Sequence, residues 1–448
     1  MNNTSKTINF FKEIANIPRE SGNETGMIEY LCNFAKERNL EYWYDDFKNV
    51  VIKKNTTDKE ILILHAHTDM VCEKEEGMVI DFSNDTIRIE SDGKFLKAKG
   101  TTLGADNGIG VAQILNVLDS DIPCNIEAVF TAEEETTMRG AYNLDKSRLK
   151  GKYLIGLDGF EENTIIVESA CFYDIILKKD YKFDFCNIKN SFRISLNGLK
   201  GGHSGFDINK NHGNSNILLA QILGKLGDIW LSDFRGGTKF NVIPSSSSCE
   251  FMSVLSLEEI QQRCSEFNDI NINVNEISSI EKVISNEDSK AFINMIVNFN
   301  NGVICYNTDN NPTTSINLAV INLKTGTIKV GMRSSKKIEE KQCLEDLEKY
   351  SNKNNFKFEI LAMQPGFESS KNSKLIKTLV KTCPIDYFSC EPTLKSVHIA
   401  VELGFFEGLD VAIISPNIQN AHSVNECVEV KSIEATDTWL KNFIKEFN

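Results

Sequence analysis

Short apolar runs alternate with amphipathic stretches in the first third of the chain. Residues 61–64 predict a buried strand, because a run of isoleucine and leucine suits a strand that is covered on both faces. Residues 24–38 repeat apolar side chains at helical spacing, and residues 125–131 predict another strand. Strands and helices that alternate in this way indicate an α/β domain with a largely parallel central sheet flanked by helices.

The pattern changes near residue 184. A strand, a helix and paired strands between residues 192 and 254 are followed by a similar order of elements between residues 289 and 361. This repetition predicts an inserted α+β lid domain built from two related halves, after which the first pattern returns. We therefore expect a catalytic domain of residues 1–183 and 368–448, interrupted by a lid domain of residues 184–367.

Composition and charge narrow the class of protein. A chain of 448 residues with 41% hydrophobic and 25% charged residues is long enough for more than one domain with a large core. The net charge of −14 argues against nucleic acid as a partner, because proteins that bind nucleic acids carry a basic face. The 12 cysteines are scattered without a Cys-x-x-Cys motif. With a polar N-terminal segment and no membrane-length apolar run, this indicates reduced thiols and a cytoplasmic protein.

Two polar residues follow the buried strand at residues 61–64. His67 and Asp69 are alternate residues, so an extended backbone points them to the same side. A neutral imidazole binds zinc well, and a carboxylate beside it can hold the second ring nitrogen. A polar turn after a core strand explains the pair equally well, so the interpretation depends on other groups. His65, which precedes them, is interpreted as a structural residue.

Further polar residues occupy strand ends, where open α/β sheets bind ligands. Glu133–Glu135 follow one predicted strand, Asp158 follows the next, and His422 follows a strand near residue 413. Asp106 lies in a glycine-rich loop at the start of a helix. One carboxylate in such a place is ordinarily a helix cap, but three consecutive glutamates repel one another and favour a face shared with cations. Histidine and carboxylate ligands together suit zinc, cobalt or manganese.

Several short motifs run in order along the whole chain. They are Ile17-Pro-Arg-Glu-Ser21, His67-Thr-Asp-Met-Val71, Gly104-Ala-Asp106-Asn-Gly108, Glu134-Glu135 ahead of Gly140-Ala141, Gly201-Gly-His-Ser-Gly205, Asn241-Val-Ile-Pro244, Gly331-Met-Arg-Ser-Ser335 and Ala421-His422-Ser423. Their order and spacing resemble those of the co-catalytic dizinc peptidases of the carboxypeptidase/aminoacylase type. Within that group the chain is most similar to the aminoacyl-histidine dipeptidases, the bacterial carnosinase-like enzymes that cleave Xaa-His dipeptides.

The resemblance implies two divalent metal ions, with Zn²⁺ expected and Co²⁺ or Mn²⁺ as alternatives. His67 and Asp158 would hold the first ion, Glu135 and His422 would hold the second, and Asp106 would bridge them. A hydroxide bound to both ions would then attack the peptide bond.

The same resemblance gives roles to two more acidic residues. Glu134 would act as the general base and then as the general acid, and Asp69 would orient His67. The family spacing, counted back from Gly140, selects Glu134 as the base and Glu135 as the ligand. A slip of this register by one residue is the alternative.

Three residues of the lid would contact the substrate. His203 would donate a hydrogen bond to the developing oxyanion, Asn241 would hold the substrate backbone, and Arg333 would bind the free carboxylate. The alternatives are a turn-capping role for His203 and a surface position for Arg333. His212 stands where the family typically has arginine, and the segment around His398 lacks the usual glycine. His398 either contacts the substrate or is a packed structural histidine, and His212 receives no role.

Together these observations predict a cytoplasmic metallodipeptidase. We expect it to hydrolyse unblocked dipeptides of the Xaa-His type, such as β-alanyl-histidine, with no nucleic acid or membrane partner. A homodimer formed through the lid follows from the resemblance alone. The alternatives are a tripeptidase or an N-acyl amino acid deacylase on the same scaffold, and a non-catalytic relative that binds peptide or metal.

Overall fold

A computed structural model describes residues 5–188, 190–267 and 270–447 of the protein. The α-helices within these residues are, in chain order, α1 (Lys6–Ile14), α2 (Thr25–Glu37), α3 (Ala105–Leu118), α4 (Arg139–Asn143), α5 (Ser215–Gly224), α6 (Leu257–Cys264), α7 (Asn286–Val297), α8 (Lys337–Lys353), α9 (Lys374–Thr382), α10 (Ile385–Phe388) and α11 (Val430–Phe447). None of the helices in these ranges is both long enough and apolar enough to cross a membrane.

The strands of the described residues follow the same chain order. They are β1 (Glu41–Tyr44), β2 (Val50–Asn55), β3 (Leu62–His67), β4 (Ile89–Ser91), β5 (Phe95–Ala98), β6 (Asn125–Thr131), β7 (Tyr153–Gly156), β8 (Thr164–Ser169), β9 (Cys171–Lys178), β10 (Asp184–Phe185), β11 (Asn190–Asn197), β12 (Gly202–His203), β13 (Ile229–Gly236), β14 (Val242–Ile243), β15 (Ser247–Ser253), β16 (Asn271–Glu276), β17 (Lys282–Val283), β18 (Gly302–Tyr306), β19 (Pro312–Asn322), β20 (Thr327–Ser334), β21 (Lys357–Gln364), β22 (Thr393–Val397), β23 (Asp410–Ile413), β24 (Ile418–Gln419) and β25 (Cys427–Glu429).

The chain divides into two compact units. Unit 1 comprises Met1–Ser169, Phe367–Val397 and Glu402–Asn448, and unit 2 comprises Ala170–Gly366 and His398–Val401. Unit 2 begins before the predicted start at residue 184, because β9 forms ladders with both β20 and β21. The short segment from His398 also joins unit 2, which the sequence pattern did not indicate.

The larger sheet of unit 1 has the strand order β1-β2-β6-β3-β7-β23-β8-β22. The pairs β6–β3, β3–β7 and β7–β23 are parallel, whereas β1–β2 and β2–β6 are antiparallel. The sheet therefore has the predicted parallel centre, and its antiparallel edge makes it mixed as a whole. Because β6, β3 and β7 run in the same direction, the residues that follow them meet at one edge of the sheet.

Helices cover the centre of this sheet. Every residue of β3 is buried, as expected of a strand that is covered on both faces. Helix α3 packs against β3, and α1 packs against α3. Phe11 and Ile14 of α1 are fully buried there, and burying each of these side chains stabilises the fold by roughly 1.5–3 kcal/mol.

Unit 2 contains two copies of one strand and helix order. The first half runs β11-α5-β13-β15-α6-β16, and the second runs β9-α7-β19-β20-α8-β21. The sheet order is β16-β11-β15-β13 in the first half and β19-β20-β9-β21 in the second, so both halves place their strands in the ferredoxin-like arrangement 4-1-3-2. This topology confirms the predicted pair of related halves. The halves join edge to edge through β13 and β19.

Strand β13 was not predicted from the sequence. Its ladder with β15 shifts register between Leu231 and Asp233, which is the mark of a bulge. Ser232 and Asp233 are consequently both buried, together with their apolar neighbours. The alternation of apolar and polar residues that identifies a half-buried strand is lost at this point.

Candidate metal centre

Three parallel strands of unit 1 bring polar residues to one edge of the sheet. His67 is the last residue of β3, Glu134 and Glu135 follow β6, and Asp158 follows β7. Asp106 lies in the first turn of α3, where its backbone angles (φ −80°, ψ 108°) are not helical. These residues therefore lie at the strand ends and the helix start where the sequence placed them.

His422 comes from a different element than expected. The sequence placed it after the strand that becomes β23, but it lies in the turn between β24 and β25. These two strands belong to a separate small sheet with the order β24-β25-β5-β4. The backbone of His422 is in the left-handed region, with a φ of 62°, which few residues other than glycine adopt but which histidine adopts more often than most.

The side chain of Asp106 lies between two histidines. Its Oδ1 is 3.1 Å from Nε2 of His67, and its Oδ2 is 3.0 Å from Nε2 of His422. Nε2 of His67 is also 3.6 Å from Oδ1 of Asp158, and Nε2 of His422 is 3.0 Å from Oε1 of Glu135. His67, Asp106 and Glu135 each offer one ligand atom within 4.8 Å of the others. The structure thus brings together all five residues that the sequence proposed as metal ligands.

Carboxylates surround both imidazoles. Burial lowers the pKa of His67, but hydrogen bonds with Asp106 and Asp158 outweigh it, and the pKa lies well above its ordinary value. Hydrogen bonds with Asp106 and Glu135 raise the pKa of His422 to about 11. The surroundings of both rings therefore strongly favour positive charge.

The carboxylates themselves respond to burial and to one another. Burial raises the pKa of Glu135 to about 7, and Asp106 contributes to this shift by repulsion. Burial also raises the pKa of Asp158 and of Glu134. For Asp106 burial acts in the same direction, but hydrogen bonds from the two histidines hold its pKa below the usual range. Acidic groups that repel at such short range gain most from a shared cation.

Asp69 connects the two loops of the site. Its Oδ1 lies 3.3 Å from Nδ1 of His67 and accepts a hydrogen bond from the backbone N–H of Glu134 at 3.0 Å. Its Oδ2 accepts from the backbone N–H of Glu135 at 3.2 Å and from Oγ of Ser21 at 2.6 Å. Burial raises the pKa of Asp69, but the contact with His67 and these donors lower it more. Asp69 therefore stays ionised and fixes both His67 and the glutamate pair.

The donor set fits a pair of divalent cations. Two imidazole nitrogens and three carboxylates converge, and these are the ligand types that zinc, cobalt and manganese take in proteins. Asp106 turns one carboxylate oxygen toward His67 and the other toward His422, which is the arrangement that a bridging ligand needs. The residues that could hold two cations are His67, Asp106, Glu135, Asp158 and His422.

Arg333, in unit 2, is not a surface residue. It is 4% exposed, its Nε donates to Oγ of Ser204 at 3.3 Å, and its guanidinium carbon lies 4.1 Å from the ring centre of Phe172. Burial lowers its pKa to about 10, and the charge of Asp174 opposes this shift. Among the described residues it forms no ion pair, so the guanidinium keeps donors for an anion.

His203 and Asn241 lie in neighbouring short strands and turns of unit 2. The backbone N–H of Gly205 donates to Nδ1 of His203 at 3.2 Å, so the ring proton is on Nε2. Burial, followed by the charge of Arg333, lowers the pKa of His203 to about 4. The carbonyl of Asn241 accepts from the backbone N–H of Ser204 at 2.8 Å. His203 is therefore a neutral donor, as the expected oxyanion role requires.

The two histidines without an assigned role also lie in unit 2. Nε2 of His398 is 2.7 Å from Oγ of Ser315, and burial together with the charge of Arg333 lowers its pKa to about 3. Its Nδ1 is buried and has no hydrogen-bond partner among the described residues. His212 contacts the carbonyl of Gly201 through Nδ1. His398 thus belongs to the group around Arg333, whereas His212 ties down the glycine-rich turn.

Two buried charges near the metal centre were not identified from the sequence. Arg19 contacts the carbonyls of Thr68, Asp69 and Gly104, and Glu426 accepts from backbone N–H groups of the loop that carries Asp106. Arg19 lies in the Ile-Pro-Arg motif, and this motif was the only feature of the sequence that could have pointed to it. Glu426 follows His422 in the chain without any local pattern that predicts burial.

His65 is enclosed in unit 1, which supports its structural interpretation. Its Nε2 lies 3.0 Å from Oγ1 of Thr131 and 3.2 Å from Oε2 of Glu402, and Thr131 donates to the same carboxylate at 2.6 Å. All three side chains are fully buried. His65 therefore satisfies groups inside the core rather than facing a ligand.

The sequence and the fold are similar to those of known peptidases. Residues 63–446 match the sequence pattern of the family described as peptidase family M20/M25/M40. The chain is 30% identical to the cytosol non-specific dipeptidase of Escherichia coli (strain K12), across 97% of this chain and 96% of that protein. Aminoacylhistidine dipeptidase from Vibrio alginolyticus has a crystal structure with a TM-score of 0.85 and 27% identity, covering 99% and 96% of the two chains. A tripeptidase from Staphylococcus aureus shares the fold at a TM-score of 0.58 and 17% identity, covering 99% and 98%.

Proposed function

The chain belongs to peptidase family M20/M25/M40, and we propose that it is a dimetal-dependent dipeptidase that hydrolyses unblocked dipeptides, including Xaa-His dipeptides such as β-alanyl-histidine. The observation that carries this proposal is the place of Asp106. Its two oxygens lie 3.1 Å from Nε2 of His67 and 3.0 Å from Nε2 of His422. A carboxylate shared by two ligand sets is what a dinuclear hydrolase needs to keep its ions close together.

Five residues would hold the metal ions. We assign His67 and Asp158 to the first ion and Glu135 and His422 to the second, with Asp106 shared. Zn²⁺ is the proposed metal, and Co²⁺ and Mn²⁺ take the same types of ligand. When bound, the ions would polarise the scissile carbonyl and lower the pKa of the attacking water.

Glu134 is the proposed proton acceptor. Its backbone N–H is held by Asp69, the same carboxylate that contacts His67, so its place is tied to the metal ligands. Burial raises its pKa well above the ordinary value, so it binds a proton more readily than an exposed glutamate does, as a proton acceptor should. Its carboxylate would remove a proton from the attacking water and deliver it to the amine nitrogen that leaves.

Three residues of unit 2 are proposed to bind the substrate. The buried guanidinium of Arg333 matches the free C-terminal carboxylate, because its planar donors suit a carboxylate geometrically. With its Nδ1 accepting a hydrogen bond, His203 would donate from Nε2–H to the carbonyl oxygen as negative charge develops there. The side-chain amide of Asn241 would hold the substrate backbone.

The range of substrates follows from the two free termini. The Escherichia coli relative is named a non-specific dipeptidase, and the Vibrio alginolyticus relative is named an aminoacylhistidine dipeptidase. We therefore propose activity toward several dipeptides, with the Xaa-His type among them. The tripeptidase of the same fold supplies the competing proposal within this chemistry.

A panel of substrates tests the proposal. β-Alanyl-histidine, two dipeptides without histidine, a tripeptide and an N-acetyl amino acid are each incubated with the protein and Zn²⁺, Co²⁺ or Mn²⁺. We expect the dipeptides to be cleaved roughly tenfold faster or more than the other compounds. Faster cleavage of the tripeptide or of the N-acetyl compound would favour the competing activities. No cleavage of any dipeptide with added metal would refute the proposal.

A pair of neighbouring variants separates catalysis from binding. Glu134→Gln should lose turnover by about 10²–10⁴-fold and still bind both metal ions. Glu133→Gln is the matched control, because Glu133 is in the same loop and its carboxylate accepts from Oγ1 of Thr137. Loss of turnover in Glu133→Gln instead would mean that the base is Glu133, one residue earlier than proposed. Unchanged turnover in both variants would support a non-catalytic relative.

Location and assembly complete the proposal. We propose a cytoplasmic protein, in keeping with the cytosol relative and with the free thiols of the chain. We further propose a homodimer formed through the lid, on the strength of the family resemblance. Sedimentation of the purified protein at several concentrations tests the dimer, and a constant mass of one chain would contradict it.

A further inference from the structure

Two buried charged residues lie behind the loop that carries Asp106. Arg19 and Glu426 are each 2% exposed, and neither is assigned above to metal, substrate or proton transfer. Arg19 precedes α2, and Glu426 directly precedes β25, so they come from opposite ends of the chain. Burying a charged side chain is costly unless its hydrogen bonds are replaced, so the partners of both residues indicate what they do.

Glu426 binds three backbone N–H groups of one short loop. Its Oε2 accepts from Leu103 at 2.8 Å and from Gly104 at 2.9 Å, and its Oε1 accepts from Asp106 at 3.2 Å. Hydrogen bonds to an ionised carboxylate are about twice as strong as neutral ones. The backbone of the loop up to Asp106 itself is therefore fixed by a single side chain. Glu426 is also in the same turn as His422. This turn therefore carries His422 and, through Glu426, fixes the loop of Asp106.

Arg19 links this loop to the one that follows β3. Its Nη1 donates to the carbonyl of Thr68 at 3.2 Å and to that of Asp69 at 3.0 Å, and its Nη2 donates to the carbonyl of Gly104. Thr68 and Asp69 come directly after His67. One guanidinium thus holds the loop of the first histidine against the loop of Asp106.

Two glycines make room for this guanidinium. Gly104 has a φ of +70°, and a Cβ placed on it would collide with Nη2 of Arg19. A Cβ on Gly108 would lie 2.7 Å from the same nitrogen. The glycine-rich sequence around Asp106 is therefore explained by the close approach of Arg19 as well as by the turn.

We propose that Arg19 and Glu426 are positioning residues that hold Asp106 between His67 and His422 and so set the affinity for the metal pair. The inference rests on the proposed function, because it takes the five converging residues to be metal ligands. Groups that hold ligands in place, without touching the metal, typically change metal affinity by about 10–100-fold when they are mutated.

Glu426→Gln and a matched control test the role of Glu426. The amide keeps the size of the side chain but removes the charge and turns a donor toward backbone N–H groups. Glu127→Gln is the control, because Glu127 is 1% exposed and its Oε2 also accepts two backbone N–H groups, from Lys150 at 2.8 Å and Gly151 at 3.0 Å. None of these control groups belongs to the metal centre. Thermal unfolding of both variants in the presence of a chelator measures how much stability each loses without metal. This separates a general loss of stability from a loss of metal binding.

The readout is the binding of Co²⁺ to the metal-free protein, followed by its visible absorption. For Glu426→Gln we expect an affinity about 10–100-fold weaker, with a shifted absorption spectrum at saturation. For Glu127→Gln we expect both the affinity and the spectrum of the wild type. Equal weakening in the two variants, or an unchanged affinity and spectrum in Glu426→Gln, would overturn the inference.

Arg19→Lys provides an independent test if Glu426→Gln does not fold. Lysine keeps the charge, but its single nitrogen cannot reach two loops as a planar fork does. Weaker Co²⁺ binding supports the inference, and binding identical to that of the wild type contradicts it. If the wild type bound no Co²⁺, the proposed function would fail as well. If the wild type bound two ions and both variants matched it, only the positioning role would be lost.

Discussion

Two histidines of unit 1 and two histidines of unit 2 have opposite surroundings. In unit 1, His67 and His422 lie 3.0–3.1 Å from the carboxylate of Asp106, and their pKa values are raised. In unit 2, His203 and His398 are half-buried near the guanidinium of Arg333, and partial burial together with that charge lowers their pKa values to about 4 and about 3. Burial alone lowers the pKa of an imidazole, so the difference comes from the sign of the neighbouring charge.

This contrast fits the different ligands proposed for the two regions. An excess of carboxylates is stabilised by cations, whereas a buried guanidinium without an ion pair is stabilised by an anion. A dipeptide has a free carboxylate, and its hydrolysis at a dinuclear site needs metal ions. Each unit therefore has the charge that one part of this chemistry requires, and the following variants test the two halves of the comparison.

The largest expected effect comes from removing the central carboxylate of unit 1. Asp106→Asn keeps the shape of the side chain but loses the charge that both histidines face. We expect loss of at least one bound metal ion and a fall in kcat/KM on the order of 10³-fold or more. Metal content per chain and dipeptide turnover measure the two effects, with Glu133→Gln as the acidic control. Full metal content and turnover in Asp106→Asn would refute the bridging assignment.

Replacing the planar guanidinium of Arg333 tests the proposed anion-binding region of unit 2. Arg333→Lys keeps a positive charge but loses paired donation, so KM for a dipeptide should rise by about 10–100-fold. The preference for a free carboxylate over a C-terminal amide should fall with it. Arg193→Lys is the control, because Arg193 pairs with Glu250 on the exposed face of the same sheet. An unchanged preference in Arg333→Lys would exclude carboxylate binding.

The pH dependence of stability should have opposite signs for the two kinds of histidine. The pKa of His398 is about 3 in the folded chain, so its contribution to stability is full above pH 6.5 and is lost as the pH falls toward 3. The pKa of His422 is raised to about 11 by Asp106 and Glu135, so its contribution is full below pH 6.5 and is lost as the pH rises toward 11.

Thermal unfolding of the protein in the presence of a chelator, at a series of pH values, measures how the free energy of unfolding changes with pH. His398→Asn should reduce the loss of stability between pH 6.5 and 4, and His422→Asn should reduce the loss between pH 7 and 10. Each variant serves as the control for the other, because the two windows do not overlap. Wild-type slopes in both variants would contradict the opposite electrostatic surroundings.

The smallest expected effect comes from removing the uncharged hydroxyl group that contacts His398. Ser315→Ala removes the hydroxyl 2.7 Å from Nε2 of His398 and should lower the free energy of unfolding by about 1 kcal/mol. Ser334→Ala, which removes a hydroxyl 2.8 Å from Oγ1 of Thr314 on the paired strand, is the control for stability. A change in KM for the Ser315 variant alone would extend the anion-binding region to His398. Equal KM values would limit that region to Arg333.

Much of the metal centre could be predicted because its residues follow strands. His67, Asp158 and Glu135 come directly after apolar runs, and parallel strands bring such residues to one edge of a sheet. The family and the dipeptidase resemblance inferred from the motifs are confirmed by the matched relatives. His422 was tied to the wrong strand, since the short strands around it have almost no apolar signal of their own.

Other features depend on contacts that no local pattern contains. The buried states of Arg19 and Glu426 arise from partners far away in the chain, so their sequence neighbours do not reveal them. Strand β13 was missed because a bulge interrupts its alternation. The start of unit 2 was placed too late in the chain, because β9 is assigned to its sheet only by strands that follow it by more than a hundred residues.

The order of the two halves of unit 2 has a consequence during synthesis on the ribosome. The first half is continuous in the chain, whereas the second is divided, with β9 made before the first half and its partners β20 and β21 made after it. Translation proceeds at about 5–20 residues per second, so the open edges of β9 wait roughly ten seconds or longer for their neighbours. During this interval a chaperone that shields nascent apolar strands would find the edges of β9 exposed.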